Sequence, residues 1–203
     1  MKSTVVAPGI NTVEGLLSEA ECEALVERAE HLGFEPAPIV TARGPRVASD
    51  TRNNDRCVFG DVHLAAKLWS RTHSFVPQVL NDRHAIGLNE RFRLYRYTPG
   101  QRFYWHSDVP YRRNNGDMSL LTFIVYLNDG YSGGETRFEV CKVFASQGTA
   151  LIFHHGMVHE GAEVTRGTKY ALRSDVMFSA RAQRGLTLRS RRPSTAWHLG
   201  REP

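Results

Sequence analysis

Two histidines and one aspartate have the residue types and the order along the chain of a metal site. His106 and Asp108 stand two residues apart at the end of a strand-like segment, so they face the same side. His159 follows the apolar run 150–153. Two imidazoles and one carboxylate on one side of a metal leave open positions opposite, as in non-haem Fe(II) sites, whereas zinc prefers four closed ligands or an open water site. A lone His-x-Asp pair is common, so the prediction of an iron site depends on its neighbours.

The basic residues after His159 strengthen this interpretation. Lys169 lies on the next strand-like segment and would supply the counter-ion that a dicarboxylate cosubstrate requires. Arg173 is on the same strand face at an even separation, so it competes for that role, pairs with Asp175 or lines the substrate mouth. His154 and His155 precede Gly156, and we expect them to support the ligands or face the substrate.

Two helices are predicted before this region. Ser18 and Glu21 form a capping-box pattern and Gly33 a stop, which predicts a helix over about 18–32. Its apolar face is formed by Cys22, Leu25, Val26, Ala29 and Leu32. Asp61 is the predicted cap of a second helix, with Val62, Ala65, Leu68 and Trp69 on one face. The stretch 75–80 predicts a turn or a short helix.

The remaining elements are mostly strands. Residues 10–17 predict a short strand, and 35–60 a long loop with short strands. From residue 91, strand patterns occur at 92–97, 119–127, 149–154 and 168–178, separated by glycine-containing turns. We expect a mainly β fold, a double-stranded β-helix (jelly roll) with N-terminal supporting helices. We expect a single domain over 1–178, with helical support at about 18–80 and a core at about 91–178, followed by a basic extension at 179–203.

Composition excludes several classes of protein. Of the 203 residues, 41% are hydrophobic and 23% charged, which is ordinary globular usage and argues against disorder or coiled coil. The longest apolar run is strand-sized and no signal-peptide core follows Met1, so we expect a soluble, cytoplasmic protein without membrane contact. The net charge of +5 comes mostly from the arginines of the extension. The three cysteines form no CxxC pair, and we interpret them as buried or idle thiols.

Several motifs occur in an order that resembles one family. They are Arg93 to Gln101, His106-Ser107-Asp108, Tyr126-Leu127-Asn128, Gly133-Gly134-Glu135-Thr136-Arg137-Phe138, and His159-Glu160-Gly161 followed by Lys169-Tyr170. This series resembles the 2-oxoglutarate and Fe(II)-dependent oxygenases, specifically the prolyl 4-hydroxylase-like branch. The resemblance implies that His106, Asp108 and His159 hold Fe(II) and that Lys169 pairs with the distal carboxylate of 2-oxoglutarate. Tyr97 is the implied second anchor, with Tyr95 as the alternative and Arg173 as a competitor of Lys169.

The resemblance also implies a reaction. An unactivated C–H bond of a protein side chain, amino acid or small metabolite is hydroxylated with O2, while 2-oxoglutarate gives succinate and CO2 and ascorbate acts as reductant. Related halogenases lack the carboxylate ligand, so the presence of Asp108 argues for hydroxylation.

The substrate is less well defined by the sequence. Ser119 stands where peptidyl-prolyl hydroxylases have a substrate-binding arginine, and Tyr170 where tryptophan is common, which argues against a peptidyl-proline substrate. The residues predicted to contact substrate are Arg52, Asn54, Tyr104, Trp105 and Arg137. A nucleic-acid demethylase is encouraged by the basic extension, although the two-arginine pattern after the distal histidine is missing. A non-catalytic jelly-roll binding module is the third alternative, and the oligomeric state stays open.

Overall fold

The computed structural model describes residues 1–41 and 44–180, so the basic extension lies outside the described residues from residue 181 onward. Two α-helices are present, α1 (Glu19–Leu32) and α2 (Val62–Thr72), and a 3-10 turn (His73–Phe75) follows α2. Neither helix is long and apolar enough to cross a bilayer.

Eighteen strands occur in the described residues. In chain order they are β1 (Lys2–Ala7), β2 (Ile10–Glu14), β3 (Glu35–Pro36), β4 (Ile39–Thr41), β5 (Gly44–Arg46), β6 (Asp55–Gly60), β7 (Val79–Leu80), β8 (Arg83–Leu88), β9 (Arg91–Tyr97), β10 (Phe103–His106), β11 (Met118–Tyr126), β12 (Ser132–Gly133), β13 (Thr136–Phe138), β14 (Lys142–Val143), β15 (Ala150–His154), β16 (His159–Gly161), β17 (Val164–Arg166) and β18 (Lys169–Phe178).

Two antiparallel sheets carry the fold. The larger sheet has ten strands in the order β1-β2-β15-β11-β18-β9-β6-β3, and β8 extends it by pairing with β18 and β7. The smaller sheet has the order β10-β16-β13-β14. One face of the larger sheet packs against the two helices, and the other packs against the smaller sheet through a cluster that includes Tyr126, Phe138 and Phe153. The predicted fold class is confirmed.

Side chains along the central strands alternate in direction, so that one set points into the core and the other toward the candidate site. Phe92 and Leu94 of β9, like Leu172 and Val176 of β18, point into the helix-covered core. Side chains at the alternate positions point toward the smaller sheet. They are Arg93, Tyr95 and Tyr97 on β9, Lys169, Arg173 and Asp175 on β18, and Thr122 on β11.

The predicted helices form, with two corrections. Ser18 and Glu21 make the full capping box of α1, and the Asp61 side chain accepts from the Leu64 amide at the start of α2. Leu32 and Val62 were expected on buried faces but are 58% and 62% exposed, because each lies at the outer end of its helix.

The N-terminal half holds more strand than predicted. The sequence patterns did not predict β1 and β8, and the 35–60 segment contributes the six-residue strand β6 to the large sheet. The 75–80 stretch holds the last residue of the 3-10 turn and the short strand β7.

Candidate metal and cosubstrate site

The three predicted metal-ligating side chains meet between β10 and β16. His106 and His159 are register partners on these antiparallel strands, with ring centroids 4.2 Å apart. Asp108 follows the end of β10, with one carboxylate oxygen 3.8 Å from His106 Nε2 and the other 3.7 Å from His159 Nε2. One ligand atom from each residue falls within 4.8 Å of the others. The geometry thus leaves room for one ion between them.

Both imidazoles are oriented by backbone carbonyls. His106 Nδ1 lies 2.7 Å from the Tyr104 carbonyl oxygen, and His159 Nδ1 lies 2.9 Å from that of Met157. Each Nδ1 therefore carries the proton, and each Nε2 presents its lone pair toward Asp108. Burial lowers the pKa of His106 to about 3, with His159 adding to the effect, and burial also lowers the pKa of His159. Neutral imidazoles are the form that binds a metal.

Asp108 is ionised and held from three directions. Burial alone would raise its pKa, but Arg173 and the two histidines bring it below the usual value for a carboxyl. Arg173 Nη1 lies 2.7 Å from Oδ1, and the Thr122 hydroxyl donates to Oδ2 at 2.5 Å. The Asp108 amide donates to the His155 carbonyl, which fixes the backbone. A negative charge beside two neutral imidazoles suits a divalent cation.

A hydrogen-bonded chain continues from Thr122. Because the Thr122 hydroxyl proton goes to Asp108, His155 Nδ1 must donate to Thr122 Oγ1, 2.8 Å away. Burial lowers the pKa of His155 to about 4, so the ring is neutral and its Nε2 accepts from the Ser119 hydroxyl at 2.8 Å. Ser119 in turn accepts from the Tyr111 amide. His155 therefore supports the candidate metal site without pointing into it.

Lys169 is buried in a small cavity beside the histidines. Its side chain is only 4% exposed, and Nζ donates to the Gly134 carbonyl at 2.5 Å. The ammonium lies over the rings of Tyr97 (5.4 Å) and Tyr126 (5.2 Å). In the described part of the chain no carboxylate lies within ion-pair distance of it, and burial lowers its pKa to about 8 although Glu135 opposes the shift. Lys169, Tyr97 and His159 line one cavity of about 40 Å³.

The mouth is a second cavity, of about 270 Å³, that reaches His106 and Asp108. Of the five predicted substrate-contact residues, Arg52 lines this mouth. Asn54 is buried beneath it and accepts from Arg52 Nε at 2.8 Å. Tyr104, Trp105 and Arg137 instead line an outer cavity of about 480 Å³, where Arg137 pairs with Glu135 and Glu160. The structure therefore separates the predicted group into two places.

Comparison with known proteins agrees with this geometry. Residues 92–174 match the model of the 2OG-Fe(II) oxygenase superfamily. This stretch contains the three candidate ligands together with Lys169, Tyr97 and Arg173. Residues 92–174 are therefore similar to this superfamily over less than half of the chain. The superfamily implies Fe(II) as the metal, with 2-oxoglutarate and O2 as cosubstrates.

One curated relative is named as a probable prolyl 4-hydroxylase. A probable prolyl 4-hydroxylase of Arabidopsis thaliana is 28% identical over 123 residues, which cover 58% of this chain and 42% of the plant protein. The chain thus spans less than half the length of that relative.

Solved structures share the fold. The viral collagen prolyl hydroxylase of Paramecium Bursaria Chlorella virus-1, in its 2OG complex, aligns at a TM-score of 0.62 and 24% identity over 85% of this chain and 97% of that one. A prolyl hydroxylase of Trichoplax adhaerens, in complex with a peptide fragment of hypoxia inducible factor, aligns at 0.62 and 18% identity over 83% of each chain. The predicted resemblance to the prolyl 4-hydroxylase-like branch is confirmed.

Three residues of the candidate site were not predicted in their roles from the sequence. Thr122 was not singled out, although its even separation from Ile124 and Tyr126 places it on the site face of β11. Arg93 was quoted only as part of a motif, yet it shares the mouth with Arg173. Ser119 was noted for the arginine it replaces, whereas its contact with His155 depends on pairing between strands that are distant in sequence.

Proposed function

We propose that this chain is an Fe(II)- and 2-oxoglutarate-dependent dioxygenase that hydroxylates an unactivated C–H bond of a protein side chain. The observation that carries the proposal is one small cavity lined by both His159 and Lys169. Lys169 is buried, and no carboxylate of the described residues pairs with it. One cavity is thus lined by a candidate metal ligand and by a cation that could receive the second carboxylate of a small dicarboxylate.

His106, Asp108 and His159 would hold the iron. They supply two neutral nitrogens and one carboxylate oxygen, a donor set suited to Fe(II) with positions left open. When bound, iron with 2-oxoglutarate and O2 supplies the oxidising chemistry, which yields succinate, CO2 and one hydroxylated C–H bond. The backbone carbonyls of Tyr104 and Met157 keep both Nε2 atoms aimed at the same point.

Lys169 would pair with the distal carboxylate of 2-oxoglutarate, and Tyr97, its register partner, would donate a second hydrogen bond. A buried ammonium bonded to one carbonyl has donors left for a carboxylate. Arg173 is the weaker candidate because Asp108, at 2.7 Å, already occupies its guanidinium.

Aromatic rings around the histidines would exclude water from the reacting centre. Phe103 stacks on His106 with centroids 3.4 Å apart, and Phe153 meets His159 edge-on at 4.6 Å. A dry site favours attack on the bound substrate over loss of the oxidant to solvent.

A peptide substrate is supported by the relatives, which are named as prolyl hydroxylases. Ser119 is fully buried and bonded to His155 and the Tyr111 amide, so it faces no substrate. Recognition of the substrate would therefore fall to the residues of the mouth.

The test is succinate release from 2-oxoglutarate with Fe(II) and ascorbate, followed by a search for +16 mass shifts in a peptide library. We expect wild type and the surface variant His31→Ala to form succinate, and His106→Ala, Asp108→Ala and His159→Ala to form none. Iron binding without succinate would favour the binding-module alternative. Product on methylated nucleic acid, with none on peptides, would favour the demethylase alternative.

A further inference from the structure

Arginines dominate the mouth beside the candidate metal ligands. Four of the residues that line this cavity are arginines (Arg52, Arg56, Arg93 and Arg173), and Asp108 is the acid among the lining residues. A guanidinium presents a planar set of donors that matches a carboxylate in a bidentate arrangement. An arginine whose charge is already balanced by a carboxylate of the protein is less available to bind an anionic ligand.

Two of the four have close carboxylate partners. Arg56 binds Glu35 at 2.8 Å, and Arg173 binds Asp108 at 2.7 Å. Arg93 has a weaker contact, because it shares Asp175 with Arg173 and each nitrogen lies 3.4 Å from a carboxylate oxygen. Asp175 therefore satisfies neither guanidinium at short range.

Arg52 has no carboxylate partner within ion-pair distance among the residues that the structure describes. Its side chain is nonetheless only 6% exposed, and its Nη2 atom is buried without a hydrogen bond. Burying a charged group without a partner costs several kcal/mol, so such groups usually meet an ion of opposite sign.

The surroundings hold the Arg52 guanidinium in place before any ligand arrives. It lies between two rings, 4.5 Å from the centroid of Tyr95 and 4.2 Å from that of Phe103, and Asn54 fixes its Nε. Backbone bridges to Ala48 and Phe103 anchor the residue itself. A guanidinium fixed in this way loses little side-chain freedom on binding an anion.

We infer that the substrate carries a carboxylate that Arg52 and Arg93 receive at the mouth, while its reacting carbon faces the iron site. The inference rests on the iron and cosubstrate sites of the proposed function, and a free amino acid as the source of the carboxylate would replace the protein side chain as substrate. The carboxylate has two chemical sources, an acidic side chain of a peptide or the α-carboxylate of a free amino acid or chain end. The cosubstrate would be held separately, since Lys169 lines the small cavity of about 40 Å³ and Arg52 lines the mouth.

The experiment compares matched probes that differ only in charge. One series is the blocked tripeptides Gly-Xaa-Gly with Asp against Asn and Glu against Gln, and the other is free L-amino acids against their amides. Binding is measured by calorimetry on the Mn(II)- and 2-oxoglutarate-loaded protein, and stimulated succinate release is measured with Fe(II). The series that binds identifies the source of the carboxylate.

We expect carboxylate probes to bind wild type and the matching amides to bind more weakly. Arg52→Gln should weaken carboxylate binding on the order of tenfold, with Arg52→Lys between the two. Arg113→Gln is the matched control, because Arg113 lies outside the mouth and its guanidinium is already paired with Glu90, and it should keep wild-type binding. The affinity for 2-oxoglutarate should not change in either Arg52 variant.

Three results would overturn the inference. The first is that the amides bind as tightly as the carboxylates. The second is that no carboxylate probe binds wild type at millimolar concentration. The third is that Arg52→Gln weakens the binding of 2-oxoglutarate as much as that of the probes. If Arg52→Gln does not fold, Arg93→Gln and Arg52→Lys carry the same comparison. Failure of the proposed function is separate, because it appears as absent succinate in wild type without any probe.

Discussion

Lys169, at the inner end of the site, and the Arg93–Arg173 pair, at the mouth, differ in how their positive charge is balanced. At the inner end, Lys169 stands alone, bonded to one backbone carbonyl and two aromatic faces. At the mouth, Arg173 is tied to Asp108 and Asp175, and Arg93 to Asp175. An isolated buried cation is poised for one ligand at a cost in stability, whereas a cation within a network contributes to the fold.

The largest effect on stability is expected from the ion pairs that Arg173 makes with Asp108 and Asp175. Arg173→Met should lower the free energy of unfolding by about 3–5 kcal/mol, because the buried carboxylates of Asp108 and Asp175 lose their partner. Chemical denaturation measures the change. Arg113→Met, which removes an exposed pair with Glu90, should cost less than about 1 kcal/mol. Equal effects of the two variants would mean that the network does not stabilise the fold.

At the inner end, removing the cation should stabilise the protein instead of destabilising it. Lys169→Met removes a buried ammonium with a lowered pKa, so at pH 7 the free energy of unfolding should rise on the order of 2 kcal/mol. The same denaturation experiment applies. Destabilisation comparable to that of Arg173→Met would contradict the view that Lys169 serves a ligand rather than the fold.

The pH dependence sharpens this prediction. Burial lowers the pKa of Lys169 from 10.5 to about 8, so between these values the unfolded chain binds more protons than the folded one. Stability from this group therefore rises with pH across that window and is lost on acidification. The stability advantage of Lys169→Met should shrink between pH 8 and about 10. A difference that does not change with pH would show that the ammonium is not desolvated.

A smaller effect is expected from the support of Asp108. Thr122→Val removes the hydroxyl that donates to Asp108 and accepts from His155, and should weaken Mn(II) binding by about 10–100-fold. Thr72→Val removes a buried hydroxyl of α2 outside the site and is the control. Equal Mn(II) affinity in the two variants would show that the Thr122 hydroxyl does not support metal binding by Asp108.

The smallest effect lies outside both ends. Ser18→Ala breaks the capping box of α1 and should cost about 1 kcal/mol of stability. Metal and 2-oxoglutarate affinities should stay at the wild-type values in calorimetry. A loss of either affinity would mean that α1 helps to shape the site.

Local patterns explain what the sequence predicts well. The caps at Ser18 and Asp61 depend on residues three positions apart, and the alternation in β9 and β18 places Tyr97, Lys169 and Arg173 on one face. The contacts of Arg173 with Asp108 and of Ser119 with His155 join residues 65 and 36 positions apart, so no local period reveals them. The separation of Arg52 from Tyr104 and Arg137 likewise depends on how two sheets meet.

We propose that iron and cosubstrate are held by different groups, the iron by His106, Asp108 and His159 and the distal carboxylate of 2-oxoglutarate by Lys169. Anaerobic calorimetry of 2-oxoglutarate binding to the Mn(II) form tests it most directly, in wild type, Lys169→Met and His31→Ala. We expect Lys169→Met to keep Mn(II) affinity but to lose about 2 kcal/mol or more of 2-oxoglutarate binding, while His31→Ala matches wild type. Wild-type 2-oxoglutarate affinity in Lys169→Met, with its metal site intact, would contradict the account.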